Sequence, residues 1–343
     1  MRTPSGSLAE RDFVFIPAVK NGLVVLFASC AGLASVSGGA QPYPAIGKWP
    51  ERTVRIIVAG GPAGGDNFVT RLIAPKLGDQ LGQQFIVENR PGVGGMLGQM
   101  AVMKSPPDGY TWLLAGASMA GARYVNANVT YDVLRDFTPV SLLETSSFVM
   151  LVHPTVPAKG AKEYIALARA QSGKMTYATL GAGQAPYWSA ILFNNMAGIK
   201  SVEVPYKDSA IALVDLAAGR VDYYFAPSAA AVANKAKLRA LAVTSITRSP
   251  AFPDVPTMAE AALPGYDMSV WRSIMGPAKV PRDIVVSLNA AIGRTLAMPD
   301  VREKLLYAGS TAAPSSPEEL SKRYADWIER FGKIAKQAGI KPQ

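Results

Sequence analysis

The sequence contains very few of the side chains on which metal sites and many enzymes depend. Among its 343 residues there is one cysteine, Cys30, and one histidine, His153. A single cysteine excludes an internal disulfide framework and a zinc site built from cysteines. A single histidine excludes multi-histidine metal centres and most catalytic clusters that depend on histidine. We therefore expect neither a metal ion nor a cofactor.

Charged residues are also scarce, at 17% of the chain against 49% hydrophobic residues. This balance excludes a long disordered chain. The formal net charge is +10, but the basic residues are scattered, and no basic run alternates with aromatic residues. We therefore expect no nucleic-acid partner, whereas a positive long-range field favours anionic ligands.

No apolar stretch reaches the ~18 residues that a membrane-spanning helix needs. One shorter stretch, residues 22–34, reads GLVVLFASCAGLA and is followed by small residues up to Ala40. A short apolar core of this kind is typical of an export signal. We predict a signal peptide over residues 1–40 and a periplasmic protein. In an alternative that stays open, residues 27–30 form a lipoprotein box and Cys30 carries a lipid anchor.

The rest of the chain alternates short apolar strands with helices. A β-branched strand over residues 53–59 is followed by a glycine-rich turn and by helical spacing over residues 67–81. The same pattern restarts at the FVMLV segment that begins at Phe148, and three proline-initiated helices close the chain. Strand, turn and helix in repetition are typical of α/β folds.

We therefore predict an α/β protein of two lobes, each built on a mainly parallel sheet flanked by helices. Residues 41–146 and 267–343 are expected to form lobe 1, and residues 147–266 lobe 2. The C-terminal helices are expected to pack on lobe 1. Ligands of such folds bind beyond the carboxyl ends of the strands, which indicates a site between the lobes.

The turn Gly60–Gly65 lies between a predicted strand and a predicted helix. Glycines let a backbone approach a ligand closely, and the first turn of a helix offers unpaired N–H groups. Such a turn suits a carboxylate or a phosphate, although a plain strand-to-helix turn explains the glycines equally well. The turn lacks the Gly-Lys-Ser/Thr ending of a nucleotide P-loop, so ATP hydrolysis is not expected.

Two other motifs only superficially resemble functional sites. The turn Gly92–Gly98 approaches a dinucleotide fingerprint, but its spacing is wrong by one residue and no acidic residue ends the next strand. Ser118 follows a strand in a sequence that half-resembles a nucleophile elbow. The only histidine, His153, follows too closely to leave room for the intervening strands and the acid. We interpret both motifs as structural.

Several motifs occur together at the separations found in one known family. They are Trp49–Pro50, Pro62–Gly65, Val87–Gly95, Pro107–Thr111, Asp136–Val140, Val204–Lys207, Leu238–Thr244, Pro253–Thr257 and Leu263–Tyr266. Over residues 48–341 the chain resembles the Bug family, the extracytoplasmic solute receptors of tripartite tricarboxylate transporters. The resemblance implies a two-lobed periplasmic-binding-protein fold that closes on a small organic carboxylate without catalysis. It also implies membrane transporter subunits as partners. We expect a monomer, because two-lobed receptors work by hinge motion within one chain.

The resemblance further implies that two glycine-containing loops, a third loop and one strand end form the ligand site. In the first loop the expected contacts are Gly61, Gly64, Gly65, Asp66 and Asn67. In the second loop they are Thr179, Gly181, Ala182, Gly183, Gln184 and Tyr187. The ring is completed by Tyr206, Asp208, Ser209 and Ala226. The backbone N–H groups of the two loops are expected to hold the anion.

The sequence departs from the family at some of these positions. Asn67 and Ala226 stand where the family usually has Asp. Their replacement removes the partners of a ligand ammonium, which disfavours an amino acid. A flat or aromatic carboxylate is suited by Tyr187, Trp188, Trp271 and Arg272, with Arg272 as a bidentate partner. A serine hydrolase built on Ser118, a solute sensor for a signalling partner and a structural envelope protein remain as alternatives.

Overall fold

The structure is a computed structural model that describes residues 49–61 and 65–343. The predicted signal peptide, Cys30 and Gly64 lie outside the described residues. Among the described helices, none combines the length and the apolar character needed to cross a bilayer.

Two β-sheets form the framework. The strands are β1 (Val54–Val58), β2 (Phe85–Asn89), β3 (Thr111–Gly116), β4 (Phe137–Ser146), β5 (Phe148–Val152), β6 (Thr176–Thr179), β7 (Val202–Pro205), β8 (Tyr223–Pro227), β9 (Arg239–Val243), β10 (Val270–Pro277) and β11 (Ser310–Ala312). Sheet 1 has the order β11-β4-β10-β3-β1-β2, and sheet 2 the order β7-β6-β8-β5-β9.

Helices cover both sheets. They are α1 (Gly65–Leu81), α2 (Met96–Met103), α3 (Ala117–Gly121), α4 (Val133–Asp136), α5 (Ala161–Ala170), α6 (Ala185–Ala197), α7 (Ser209–Ala217), α8 (Ser228–Ala233), α9 (Met258–Ala261), α10 (Arg282–Ala297), α11 (Pro299–Tyr307) and α12 (Pro317–Ala338). Single 3₁₀ turns lie at Val93–Gly95 and Ala122–Tyr124.

Both sheets are mixed, which corrects the prediction of mainly parallel sheets. In sheet 1 the strands β2, β1 and β3 are parallel, but β10 is antiparallel to β3 and β4. In sheet 2 the strands β7, β6 and β8 are parallel, but β5 is antiparallel to β8 and β9. The reversed strands follow from the crossings between the sheets. Only Ser147 separates β4 from β5, so β5 enters sheet 2 at the edge where its neighbour β8 ends.

The C-terminal helix α12 starts and stops at clear sequence signals. Ser316 accepts a hydrogen bond from the Glu319 N–H (3.1 Å), and the Glu319 carboxylate accepts one from the Ser316 N–H (2.8 Å). Pro317 occupies the first turn, and Gly339 ends the helix with a positive φ of 66°. This capping box and the left-handed C-cap satisfy backbone groups that a bare helix end leaves unpaired.

The core of sheet 1 continues into that of sheet 2 through α12. Its Phe331 ring lies 4.7 Å from the Trp188 ring of α6, and the Tyr266 hydroxyl donates to the Ser189 carbonyl (3.0 Å). The same helix also packs on β4 and α3. The C-terminal helices therefore pack on the predicted lobe 1, as expected, and α12 in addition joins the two sheets. The lobe boundaries given above remain predictions.

Candidate ligand-binding site

A small cavity lies between elements of sheet 1 and the loop that follows β6 of sheet 2. We call it the interlobe pocket; its volume is about 40 Å³. It is lined by Val93, Gly94, Met96, Gln99, Ser118, Ala122, Val125, Asn126, Val129, Ala182, Gly183 and Gln184. Within the described part of the chain, no charged side chain lines it. Its polar groups are therefore neutral amides, a hydroxyl and backbone N–H groups.

The loop after β6 can approach the opposite wall of the pocket closely because residue 183 is glycine. Gly183 has a φ of +85°, a conformation that side-chain-bearing residues rarely adopt. A Cβ there would also lie 2.9 Å from Cγ2 of Val125. The loop therefore touches the opposite wall of the pocket without a side chain between them.

The side chain of Gln99 is fixed by a buried tyrosine. The Tyr131 hydroxyl donates to Oε1 of Gln99 at 2.7 Å, so the amide NH₂ group is the end left to donate. Tyr131 is 2% exposed, and burial raises the pKa of its hydroxyl, which keeps that hydroxyl a neutral donor. Gln99 is thereby left with its NH₂ group as a hydrogen-bond donor, and both Gln99 and Ser118 line the pocket.

Helix α6 begins at the pocket wall. Gln184 is its N-cap residue, and among the described residues no side chain caps its first turn. Pro186 occupies the first turn and has no N–H, a position that helices tolerate because that donor is unpaired in any case. A helix start carries a partial positive charge. Gln184 and the two residues before it line the pocket, where none of the described lining side chains is charged.

Helix α1 begins in a charged environment instead. Nε of Arg272 donates to Oδ1 of Asp66 at 2.6 Å, and its NH1 group donates to the fully buried carboxylate of Glu144. Burial opposes the charge of Arg272, but Glu144 and Asp66 outweigh it and raise the pKa of the guanidinium. A Cβ at Gly65 would collide with this guanidinium. The glycine thus makes room for an internal ion pair.

Two of the predicted ligand contacts are buried in the hydrophobic core of this structure. Trp271 and Ala226 are both 0% exposed. Trp271 packs edge-on against Tyr324, with ring centroids 4.7 Å apart, and Ala226 lies in the core of sheet 2. Successive residues of a strand point to opposite faces, so Trp271 and Arg272 of β10 cannot line one surface. Arg272 itself is engaged by two carboxylates rather than free for a ligand.

The remaining predicted residues on the edge of sheet 2 have partners within that sheet's own elements. The hydroxyl of Thr179 donates to Glu203 (2.6 Å) and accepts from the Gly181 N–H (3.2 Å). Burial, followed by the nearby Glu203 carboxylate, raises the pKa of Tyr187. Glu203 is a carboxylate that the sequence analysis did not single out. A charged residue inside the short strand VEVP was the available signal.

Three further predicted residues form hydrogen bonds in or near helix α7. Asp208 caps α7 by accepting from the Ile211 N–H (2.9 Å), and the Tyr224 hydroxyl donates to Ser209 (3.2 Å). The Tyr206 hydroxyl donates to Asp215 (2.9 Å). In the first loop, Asn67 accepts from Nε of Arg71 (3.2 Å). These bonds give each residue a structural partner.

The pocket instead collects residues that the sequence analysis interpreted as structural. Gly94 belongs to the turn that resembles a dinucleotide fingerprint, Ser118 to the incomplete nucleophile elbow, and Gln99 was not considered. Of the predicted set, the structure brings Ala182, Gly183 and Gln184 to the pocket.

Comparisons with known proteins show the family of this chain. A family model described as the tripartite tricarboxylate transporter family receptor, TctC, matches residues 69–340. The chain belongs to the TctC family. The resemblance to Bug proteins inferred from sequence motifs is thereby confirmed, and so is the two-lobed solute-binding fold.

Individual relatives of this TctC receptor cover most of its length. Protein BugT of Bordetella pertussis is 33% identical over 323 residues, which are 93% of this chain and 97% of BugT. R. palustris Rpa4515 with adipate is 32% identical, with a TM-score of 0.78 over 86% of this chain and 100% of the other. MatC from Rhodopseudomonas palustris with bound malate is 31% identical, with a TM-score of 0.75 over 84% and 100% of the chains.

Proposed function

We propose that this TctC receptor captures a small aliphatic dicarboxylate in the interlobe pocket and presents it to membrane subunits of a tripartite tricarboxylate transporter. In this proposal the protein acts in the periplasm as a monomer and leaves its ligand unchanged. The observation that carries the proposal is the uncapped start of α6 in a pocket that elements of both sheets line.

Neutral donors suit the capture and later release of a carboxylate. The first turn of α6, the amide NH₂ of Gln99 and the hydroxyl of Ser118 can each donate to an anionic oxygen. A hydrogen bond to a charged group contributes about 1.5–3 kcal/mol. Several such bonds support useful affinity without a buried protein cation, whose desolvation would oppose binding.

The choice of an aliphatic dicarboxylate rests on two supports. The related structures named above hold adipate and malate, which are both dicarboxylates. In addition, Trp271 is fully buried and Arg272 is already paired. An aromatic carboxylate therefore lacks the stacking and bidentate partners that the sequence suggested for it.

The hydrolase alternative finds little support at Ser118. The only histidine of the chain, His153, follows β5 and its Nδ1 lies 2.7 Å from the hydroxyl of Thr155. Strand β5 starts at the crossing from sheet 1 and runs away from it. His153, which follows β5, therefore lies at the end remote from the edge of sheet 1 where Ser118 lies. Ser118 thus lacks the histidine base that a nucleophile elbow requires.

Calorimetric titration with adipate, malate, benzoate and the neutral diamide of adipate tests the proposal. We expect a dicarboxylate to bind, and the diamide to bind at least tenfold more weakly. Ser118→Ala should lower the affinity, whereas Ser172→Ala, an exposed serine in the turn after α5, should leave it unchanged. Equal binding of the acid and its diamide, or hydrolysis of an ester that Ser118→Ala abolishes, would overturn the proposal.

A further inference from the structure

A second cavity lies where the chain crosses between the two sheets. We call it the crossover pocket; its volume is about 170 Å³, and it shares no lining residue with the interlobe pocket as described. Thr145 and Ser147 border it at the β4–β5 crossing, and the segment after β9 contributes Thr247, Arg248 and Ser249. Arg323 of α12 lines it from the side of sheet 1.

The lining of the crossover pocket is polar and positively charged. Hydroxyl-bearing residues predominate, two arginines are present, and no acidic side chain is found among its described lining residues. The larger apolar side chains of that lining are Ile246 and Pro250. A ligand with a hydrocarbon chain would therefore bury little apolar surface here, whereas an anion with many acceptor oxygens finds donors around it.

The two arginines differ in how far their charge is balanced. Arg248 donates to Glu260 at 2.9 Å and is thereby partly neutralised. Arg323 lies with its guanidinium carbon 6.0 Å from the centre of the Trp271 ring, and it forms no ion pair with any carboxylate of the described residues. Arg323 thus supplies net positive charge to the pocket.

A buried hydroxyl gives an independent indication of a ligand. Ser249 is 4% exposed, and its Oγ has no hydrogen-bond partner among the described residues. An unpaired buried hydroxyl destabilises the folded protein, and such groups are rare in native proteins unless an ion, a water or a ligand satisfies them. Its position on the lining of a cationic cavity favours an anion.

We propose that the crossover pocket binds a small tetrahedral oxyanion, of the sulfate or phosphate class, through Arg323, Ser249 and neighbouring hydroxyls. This site is separate from the dicarboxylate site and does not depend on it. Because the pocket borders the β4–β5 crossing and also elements of each sheet, a bound oxyanion connects the two sheets directly.

Calorimetric titration with sulfate and with inorganic phosphate, at constant ionic strength kept with chloride, tests this inference. We expect saturable binding of at least one of the two ions, and their comparison identifies the preferred one. Arg323→Gln should weaken binding tenfold or more. Lys322→Gln removes the same charge from the adjacent position, outside the pocket, and should change the affinity less than twofold.

Ser249→Ala separates a binding role from a structural one. Without the oxyanion we expect its melting temperature to equal or exceed that of the wild type, because it removes an unpaired hydroxyl. With the oxyanion, its affinity should fall at least threefold. Binding no stronger than that of chloride, equal losses in Arg323→Gln and Lys322→Gln, or unchanged affinity in Ser249→Ala would overturn the inference. Titration of the same samples with adipate reports separately on the interlobe pocket.

Discussion

Helices α1 and α6 both begin after a parallel strand and a glycine-containing turn, yet their first turns differ in electrostatic character. The start of α1 carries Asp66, which pairs with Arg272, and that arginine also pairs with the buried Glu144. The start of α6 carries Gln184 and Pro186 and has no acidic residue in its first turn. The same sequence pattern therefore produces one helix start occupied by protein charges and one that is open.

A glycine-rich turn alone therefore does not identify an anion site. At α1 the absence of a Cβ at Gly65 accommodates the Arg272 guanidinium, so the glycine serves the protein's own ion pair. At α6 the glycine at position 183 lets the loop approach the opposite wall of a cavity. The role of each helix start depends on the groups that lie next to it.

Breaking the buried ion pair at the start of α1 should change the stability of the protein more than any other substitution considered. Arg272→Met leaves the fully buried carboxylate of Glu144 without its cation. We expect a loss of about 3–5 kcal/mol in the free energy of unfolding, the range for breaking a buried ion pair. Urea denaturation measures it.

Two variants control this prediction. Adding Glu144→Gln to Arg272→Met should recover a large part of the lost stability, since the uncompensated charge is removed. Arg282→Met removes an arginine whose pair with Glu318 is 83% and 63% exposed, and it should lose less than about 1 kcal/mol. Similar losses in Arg272→Met and Arg282→Met would contradict the electrostatic account.

The second substitution gives the start of α6 an acidic residue, as the start of α1 has in Asp66. In Gln184→Asp a carboxylate caps the helix, which should raise the stability by about 0.5–1 kcal/mol. The same carboxylate repels an anionic ligand, so we expect the dicarboxylate affinity to fall about tenfold, or ~1.4 kcal/mol. Urea denaturation and calorimetric titration measure the two opposite changes.

Gln184→Asn is the matched variant, because asparagine also caps helices but carries no charge. We expect a similar gain in stability with a smaller loss of affinity. If Gln184→Asp bound the dicarboxylate as tightly as the wild type, the ligand would not lie at the start of α6.

A smaller effect is expected from Asp66→Asn. Asp66 is 55% exposed, and Glu144 still compensates Arg272 in this variant. The stability should therefore fall by at most about 1 kcal/mol, and the dicarboxylate affinity should change less than twofold. Calorimetric titration shows which of the two helix starts binds the ligand. A large rise in the dicarboxylate affinity of Asp66→Asn would contradict the assignment to α6. It would indicate that the α1 loop controls ligand binding, as the family resemblance implied.

Local patterns were sufficient to predict most of the strands and helices. The strands β1 and β5 were predicted to within one or two residues, and the helices α11 and α12 begin at prolines, as predicted. The strands β4 and β10 were not predicted, although they are central in sheet 1. Their sequences mix polar and apolar residues, and their place in the sheet depends on pairing between residues more than 120 positions apart.

The candidate site was less predictable than the fold. The loop before α6 could be identified because its glycines follow a strand. Gln99 and Ser118 could not, because their importance depends on which elements meet across the two sheets. The burial of Trp271 could not be predicted either, because the face of β10 to which its side chain points depends on strand pairing.

The smallest effect concerns an exposed counterpart of the Arg272 ion pair. Arg135 donates to Asp136 (2.7 Å), and the Asp132 N–H donates to the same carboxylate (2.8 Å). The Arg135 hydrogen bond, followed by that from the Asp132 backbone, lowers the pKa of Asp136 to about 2. A lowered pKa adds stability above the ordinary pKa of the carboxyl, and this stability is lost as the pH falls from about 4 to about 2. Urea denaturation across this range should show that the free energy of unfolding depends less steeply on pH in Asp136→Asn than in the wild type. Arg135→Gln should be intermediate. Identical slopes in all three proteins would contradict the assignment.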